Sequence, residues 1–390
     1  MHGKRFLFIF PSSTGFVYPG IRLAQALQSQ NNEVLFIGSS HFDALMRFYG
    51  IDFIGISHIQ KELPFLHISK WYNLQANLEQ HALLEKVSGF FHVDAVICSP
   101  LNISALVWCE QHRIPVILLG FATRLFPSGT GEEFDRKWRL GEFLKYFNQL
   151  RERVSPSIVY NDPPTGSLIG DLLLCRSIPS LEPGNVPGEK INFIGSSCYW
   201  DPPVQNVRLR RFMMENRKRE RPLIYIQLGR FFDQRDRCFE LVEMLTQMPF
   251  DFIADTGRAD YDWQKTTSST NMFAHTFIPV GAVADQAAAM ITSAQTTGFL
   301  AGIVHRLPHL AIPFSAEGKE IAALIKKMSI GAVIDDEQDF SIDALKNALD
   351  SLLNDGPINS SLEKFHNEFA NQVTMNGICE CIHQTISEKS

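Results

Sequence analysis

The sequence lacks the cysteine patterns that build a zinc site or a disulfide framework. Its seven cysteines are scattered along the chain, and the closest pair, Cys379 and Cys381, does not form a CxxC motif. The odd number and the wide spacing favour free, buried thiols in a reducing compartment. We therefore exclude a zinc module and a disulfide-stabilised secreted scaffold.

Long apolar runs are missing as well. The stretch Phe6–Phe10 is followed directly by Pro11 and is too short for the core of a signal peptide. No run approaches the ~18 apolar residues of a membrane-spanning helix. A net charge of −6 gives no electrostatic reason to expect nucleic acid or an acidic membrane as partner. We expect a soluble, cytoplasmic protein without a transmembrane segment.

The chain does contain enough length and apolar content for two packed domains. It has 390 residues, of which 45% are hydrophobic and 20% charged, which is typical of globular cores. In the first half, apolar runs of the buried-strand type alternate with helical spacing. Strands are predicted at Arg5–Phe10, Glu33–Gly38, Ala95–Cys98 and Pro115–Leu119, and helices at Pro19–Gln28 and Asn102–Gln111. Such strand–helix–strand units predict a doubly wound parallel sheet.

The second half repeats this pattern. Strands are predicted at Leu223–Leu228, Asp251–Asp255, Met272–Phe277, Ala289–Thr292, His309–Ile312 and Gly331–Ile334, a helix at Arg237–Gln247, and a mostly helical C-terminus over Ile342–Glu388. We predict an α/β protein with two Rossmann-like domains at 1–205 and 222–390 that face each other across a ligand-binding cleft. The basic run Arg208–Arg221 falls in the predicted linker, 206–221. It is interpreted as a solvated helix face, with contact to a bound phosphate as the alternative. Whether the last helix packs back on the N-terminal domain stays open.

Several blocks, in order and spacing, resemble the family-1 glycosyltransferases of the GT-B fold, the group of UDP-sugar, antibiotic and macrolide transferases. The matching blocks are Gly15–Leu27, Asn32–Phe36, Ser177–Glu182, Phe193–Asp201, Pro222–Gly229, Phe277–Pro279, Pro308–Pro313 and Ala322–Ile325. The resemblance implies an acceptor-binding N-terminal domain and a nucleotide-sugar-binding C-terminal domain. It also implies inverting, metal-independent transfer from a UDP- or dTDP-sugar type of co-substrate to a hydroxyl of a small apolar acceptor, without a further cofactor. A base must take up the acceptor proton, and positive charge or N–H donors must hold the diphosphate.

The polar positions of that family are largely replaced in this chain. Phe16 stands where the family has its basic histidine, and Ser99 stands where it has the aspartate that orients this base. In the donor half, the family's His-Gly-Gly phosphate motif corresponds to Ser293–Gln295, its ribose-binding Glu to Ala301 and its sugar-contacting Asp-Gln pair to Glu317 and Gly318. The catalytic base is therefore unknown.

The candidate donor-binding and acceptor-binding residues follow from these alignments. Donor-binding candidates are Gly229, Arg230, Phe277, Ile278, Ser293, Gln295, Thr296, Thr297, Gly298 and Glu317; acceptor-binding candidates are Phe16, Tyr18 and Trp138. Each has a structural alternative. For residues 292–298 the alternatives are phosphate binding and helix capping. For Arg230 they are pairing with the diphosphate and a salt bridge within the protein. For Phe277 they are stacking on the nucleobase and packing in the core. Glu317 suits sugar hydroxyls better than proton removal.

Two other readings of the function compete with an active transferase. One is a catalytically silent homologue that binds a ligand or a partner enzyme as an auxiliary or scaffold protein. The other is a GT-B enzyme of different chemistry, such as a sugar-nucleotide epimerase. The carboxylate pair Asp260 and Asp262 has a metal-binding spacing but lies outside the matching blocks, so no metal is predicted.

Overall fold

The computed structural model describes residues 3–11, 13–56, 73–100, 102–121, 133–155, 170–181, 190–229, 235–257, 270–313, 316–334, 341–354 and 356–389. The chain divides into two compact units, Met1–Trp200 with Asn371–Ser390, and Asp201–Ala370. The sequence places the boundary at residue 205. In the structure the division falls at residue 200, and the predicted linker forms a helix that belongs to the second unit.

The first unit is built on a seven-stranded parallel sheet. Its strands are β1 (Arg5–Ile9), β2 (Glu33–Ser39), β3 (Asp52–Ile56), β4 (Ala95–Cys98), β5 (Val116–Gly120), β6 (Leu172–Cys175) and β7 (Ile191–Phe193). They lie in the order β3-β2-β1-β4-β5-β6-β7, which is that of a doubly wound sheet. The helices that cover it are α1 (Thr14–Ser29), α2 (Asp43–Phe48), α3 (Leu74–Ser88), α4 (Ile103–His112) and α5 (Glu133–Val154). The continuous apolar runs form these strands because both faces of the sheet are buried.

The second unit has a six-stranded parallel sheet in the order β10-β9-β8-β11-β12-β13. Its strands are β8 (Leu223–Gln227), β9 (Asp251–Asp255), β10 (Met272–His275), β11 (Ala287–Thr292), β12 (His309–Ala311) and β13 (Gly331–Val333). Its helices are α6 (Val207–Arg219), α7 (Arg235–Thr246), α8 (Thr296–His305), α9 (Ala316–Met328), α10 (Ile342–Asn354) and α11 (Gly356–Ala370). The prediction of two doubly wound parallel sheets is confirmed.

The C-terminal helix α12 (Met375–Lys389) belongs to the first unit. Its buried residues Ile378, Cys379, Ile382 and Ile386 join the apolar core formed by α1 and the face of the sheet beneath it. The Nζ of Lys389 donates to Asp171 at 2.7 Å, and the Ser197 hydroxyl donates to the Val373 carbonyl at 2.6 Å. Apolar burial is the main stabilising contribution of this helix.

The cysteines of the described chain form no disulfide bonds. The six cysteines whose side chains are described are free thiols, and all except Cys381 are buried. Burial raises the pKa of Cys98 and raises that of Cys379 to about 11, so these thiols are poor nucleophiles. No helix in the described part of the chain has the length and apolar character needed to cross a membrane.

Candidate functional site

Four polar residues occupy the ends of four adjacent strands in the second unit. In the strand register, Thr292 pairs with Gln227, Gln227 with Asp255, and Asp255 with His275. Each is the last residue of its strand. Because the strands are parallel, the four side chains form a continuous row, here called the polar row, along the carboxyl edge of the sheet. This is the edge at which open α/β sheets bind their ligands.

Asp255 lies near the centre of the polar row and is almost fully buried. Its carboxylate accepts hydrogen bonds from the backbone N–H of Gly257 at 2.9 Å and of Ile278 at 3.3 Å. The Gln227 side chain also bonds to it. Burial raises the pKa of Asp255 to about 7, and the hydrogen bonds oppose this shift. Asp255 therefore connects three chain segments and changes charge near neutral pH.

Asp255 and Tyr225 together fix the segment Phe277–Pro279. The Tyr225 hydroxyl donates to the Ile278 carbonyl at 2.6 Å, and the Ile278 N–H bonds to Asp255. Both backbone polar groups of Ile278 thus have partners inside the protein, and its side chain is buried. The Nδ1 atom of His275 contacts the N and O atoms of Phe277 at 3.3 and 3.1 Å. These bonds hold the half-buried Phe277 at the polar edge of the sheet.

The turn between β11 and α8 is unusually tight. Ala294 adopts a left-handed conformation with φ of 55°, which costs a non-glycine residue about 1 kcal/mol. Its N–H donates to the Thr292 hydroxyl at 3.2 Å. A Cβ on Gly298 would lie 2.6 Å from the same hydroxyl, so only glycine permits this approach of α8 to β11. The polar row and the first turn of α8 are therefore in direct contact.

The first turn of α8 presents N–H donors that the helix itself does not use. The N–H groups of the first helical turn have no intrahelical acceptor, and together with the helix dipole they favour an anion. Gln295 precedes the helix, and within the described residues its side chain makes no capping hydrogen bond. That side chain lies against Gly229 instead: a Cβ there would be 3.3 Å from Gln295 Oε1. Thr296 and Thr297 are half-buried, and Ser293 is buried.

The structure thus brings together most of the donor-binding candidates. Gly229, Ser293, Gln295, Thr296, Thr297 and Gly298 meet at the ends of β8 and β11, and Phe277 and Ile278 follow β10. Arg230 lies outside the described residues, and so does the side chain of Glu317. Their proposed roles stay predictions.

Sequence reasoning missed the polar row itself. It interprets Gln227 and Asp255 only as strand residues, and Thr292 only as the end of a strand and the first residue of the phosphate-binding or helix-capping segment 292–298. A signal was present, because each is a polar residue that ends a strand with an apolar interior. What the sequence does not show is the register that aligns these three ends.

The corresponding edge of the first unit is largely apolar. The four adjacent strands β1, β4, β5 and β6 end in Ile9, Cys98, Gly120 and Cys175. Of the residues that follow them, Phe10, Ser99 and Phe121 are buried. The Ser99 hydroxyl has no hydrogen-bond partner in the part of the chain that the structure describes. A buried hydroxyl of this kind cannot replace the carboxylate expected at this position.

Among the described residues that directly follow β1, β4, β5 and β6, one is a cation. Arg176, which directly follows β6, is buried and donates from Nη1 to the Gly15 carbonyl at 2.9 Å. Its guanidinium lies 5.7 Å from the centre of the Phe121 ring. Arginine stays protonated at any physiological pH, so it fixes the start of α1 without acting as a base.

The acceptor-binding candidates occupy this same unit. Phe16 and Tyr18 on α1 are half-buried against the core, and the Tyr18 ring stacks edge-on against Trp200 at 5.4 Å. The side chain of Trp138 lies outside the described residues. Among the described residues, no cluster of three or more His, Cys, Asp or Glu side chains is arranged to hold a metal ion. The pair Asp260 and Asp262 lies outside those residues.

Solved structures share this architecture over nearly the whole chain. The calicheamicin glycosyltransferase has a TM-score of 0.75 at 16% identity, covering 99% of each chain. The glycotransferase of kitacinnamycin has a TM-score of 0.72 at 16% identity, covering 99% of this chain and 100% of the other. Spinosyn rhamnosyltransferase, complexed with thymidine diphosphate, has a TM-score of 0.68 at 14% identity, covering 97% and 100%.

No protein-family model and no curated protein sequence matches the chain. At identities of 14 to 16%, structural similarity establishes fold and leaves activity to the site. The chain therefore has the GT-B fold of these glycosyltransferases, as the sequence resemblance predicts.

Proposed function

We propose that the protein transfers a sugar from a nucleoside-diphosphate sugar to a small apolar acceptor, with inversion and without a metal ion. The observation that carries this proposal is the polar row at the carboxyl edge of the second sheet, in contact with the N-terminal turn of α8. The compared structures that share the fold are all described as glycosyltransferases, and one is complexed with thymidine diphosphate. We expect a UDP- or dTDP-sugar as donor.

The second unit supplies the chemistry that a diphosphate leaving group needs. As the bond to the sugar breaks, negative charge grows on the β-phosphate. Fixed N–H donors stabilise that charge without reorganisation. We assign this role to the N–H groups of Thr296, Thr297 and Gly298, with Arg230 as a cationic partner. Phe277, held by His275 and Asp255, is assigned to the nucleobase, and Glu317 to the sugar hydroxyls.

The first unit supports an apolar acceptor. The half-buried Phe16 and Tyr18 offer apolar surface, and we assign Phe16, Tyr18 and Trp138 to the acceptor. Phe16 cannot accept a proton, and neither the Ser99 hydroxyl nor the buried, high-pKa Cys98 thiol is a suitable base. The residue that deprotonates the acceptor stays unassigned.

Nucleotide binding tests the donor assignment most directly. We expect calorimetric titration with dTDP, UDP and GDP to show binding of at least one nucleotide. Thr292→Val removes the hydroxyl that orders the turn before α8, and we expect it to weaken that binding about tenfold, because a buried hydrogen bond is lost. Thr385→Val on α12 is the matched control, since its hydroxyl bonds to the Cys381 carbonyl in the other unit.

Each result of this titration separates the candidate functions. If no nucleotide binds, the transferase proposal is wrong. If a nucleotide binds but no hydroxylated acceptor is glycosylated, the protein is a silent homologue with a binding or scaffold role. If Arg230→Ala leaves the affinity unchanged, the arginine does not contact the diphosphate.

A further inference from the structure

Positive charge is concentrated in one short segment of an otherwise acidic chain. Residues 208–221 contain seven Lys and Arg against two Glu, so this segment carries a net charge of +5. The whole chain carries −6, which leaves −11 for the remainder. Most of this segment forms α6, on the second unit.

One face of α6 is both basic and apolar. Val207 and Met214 are 79% and 60% exposed, and a spacing of seven places them on the same side of the helix. The buried residues Leu209 and Asn216 lie on the opposite side. Arg210 and Arg217 flank the two apolar side chains on one side, and Arg211 and Lys218 flank them on the other. These six residues are here called the α6 face.

Only part of this charge is neutralised within the protein. Lys218 pairs with Glu215 at 2.9 Å, and Arg219, beside the α6 face, pairs with the buried Asp251 at 2.6 Å. Among the described residues, Arg210 and Arg217 take part in no ion pair. The stems of such arginines add apolar area beside Val207 and Met214 while their guanidinium groups stay in water.

A groove beside the α6 face continues the same character. It has a volume of about 410 Å³ and lies between α6 and the edge strand β10. Its lining combines Arg208, Arg211 and Arg219 with Phe212, Met272 and Phe273, and one carboxylate, that of Glu215, lies among them. The Phe212 and Phe273 rings lie 5.9 Å apart. Cations and apolar surface therefore occur together in the groove as well.

We propose that the α6 face docks the protein on the surface of an anionic lipid bilayer. Each Lys or Arg near such a surface strengthens binding about fivefold, and exposed apolar side chains between them enter the boundary of the acyl chains. A nucleic acid would neutralise the arginines but would leave Val207 and Met214 in water. The acidic remainder of the chain is repelled by the same surface, so the protein binds in a single orientation. This inference does not depend on glycosyl transfer.

Flotation of the full-length protein with lipid vesicles tests this docking surface. We expect binding to vesicles of 70% phosphatidylcholine and 30% phosphatidylglycerol at 50 mM salt, and loss of binding at 500 mM salt because the charges are screened. Arg210→Gln with Arg217→Gln is expected to weaken partitioning about 25-fold. Val207→Ser with Met214→Gln is expected to weaken it about tenfold. Lys327→Gln with Lys346→Gln, on α9 and α10, removes the same charge from exposed positions elsewhere and is expected to leave binding within about threefold of wild type.

Circular dichroism confirms that each variant is folded before the vesicle assay. The proposal is overturned if the wild type does not bind the anionic vesicles, or if the lysine control loses as much binding as the arginine variant. It is also overturned if the Val207 and Met214 variant binds as well as wild type. Binding to polyuridylic acid in the absence of vesicle binding would identify a nucleic-acid surface instead.

Discussion

The two sheets have the same winding but end their strands in different residues. Four adjacent strands of the first unit end in Ile9, Cys98, Gly120 and Cys175, whereas four adjacent strands of the second end in Gln227, Asp255, His275 and Thr292. The winding depends on apolar strand interiors, which both sheets have. The last residue of a strand does not need to be apolar for this winding to form. A doubly wound sheet can therefore provide an apolar edge in one unit and a polar edge in the other.

The polar edge has a cost in stability that the apolar edge avoids. In the second unit, buried polar groups must find partners, and Asp255 binds two backbone N–H groups for this reason. In the first unit, the ends of β1, β4, β5 and β6 bring fewer polar side chains to the corresponding edge, and those described there are Ser99 and Arg176. The next strand, β2, ends in the buried Ser39, whose hydroxyl lies 2.8 Å from His41 Nδ1. If this contrast is correct, substitutions at the polar edge should affect both folding and nucleotide binding, and substitutions at the apolar edge should affect neither strongly.

The largest effect is expected for Asp255→Leu. The substitution leaves the buried Ile278 N–H without its acceptor, so we expect a loss of about 4 kcal/mol in the free energy of unfolding. Nucleotide affinity should fall as well, because the segment Phe277–Pro279 is released. Asp171→Leu in the first unit is the control, since Asp171 accepts from the Val116 N–H at 2.9 Å. Calorimetric unfolding and nucleotide titration measure both quantities, and equal losses of nucleotide affinity in the two variants would contradict the comparison.

The pH dependence of stability gives the second prediction. Burial raises the pKa of Asp255 from 3.8 to about 7, so between these values the folded state holds a proton that the unfolded chain has released. The free energy of unfolding therefore falls as the pH rises from about 4 to about 7, by up to roughly 4 kcal/mol. Asp255→Asn removes this titration, and we expect the fall to disappear in denaturant unfolding. An unchanged curve would show that Asp255 is ionised in the fold throughout this range.

His309 on β12 should have the opposite pH dependence. It is fully buried, neither ring nitrogen has a hydrogen-bond partner among the described residues, and burial lowers its pKa from 6.5 to about 3. The unfolded chain therefore takes up a proton between these values that the folded protein does not bind, and stability falls as the pH drops below 6.5. At pH 5 the loss amounts to about 2 kcal/mol.

His309→Leu should abolish this loss. We expect hydrogen exchange of the β12 amides to show a smaller difference between pH 7 and pH 5 in the variant, after correction for intrinsic exchange rates. The same difference in both proteins would exclude His309 as its source. The difference between pH 7 and pH 5 is taken within each protein. A packing change caused by leucine affects both pH values equally and therefore cancels.

Gly298→Ala is expected to have a smaller effect. A Cβ at this position would lie 2.6 Å from the Thr292 hydroxyl, so α8 must shift away from β11, at a cost of about 1–2 kcal/mol. Gly141→Ala on α5 is the matched control, because no atom lies within 4 Å of its added Cβ. That control should be more stable by about 0.5–1 kcal/mol. Thermal unfolding that shows the same sign for both would rule out a close contact at Gly298.

Ser99→Ala should have the smallest effect. Because the buried Ser99 hydroxyl has no partner among the described residues, its removal should raise the free energy of unfolding by less than about 1 kcal/mol. Nucleotide affinity and glycosyl transfer should stay at the wild-type level. A large loss of transfer would show that Ser99 takes part in the reaction, and the first unit would then not be a purely apolar edge.

Part of the candidate site was predictable from the sequence. Residues 292–298 are predicted as a phosphate-binding or helix-capping segment because they stand where the resembling family has its phosphate motif and because they precede a helical stretch. Asp255 was not identified, since its importance depends on Ile278 and Gln227, which are distant in sequence. The basic run Arg208–Arg221 is visible in the sequence and predicts a solvated helix face. The exposure of Val207 and Met214 on that helix is not visible there, because it depends on which side of α6 packs against the second unit.

The sequence by itself determined the two doubly wound sheets, because apolar runs and helical periodicity are local patterns that each segment carries alone. It also determined which residue types end each strand.

Only the tertiary structure decided which strand ends align in one row, since register depends on pairing between distant segments. It likewise placed α12 in the first unit and buried Asp255 deeply enough to raise its pKa, because burial is a property of the packed chain and not of any single stretch of it.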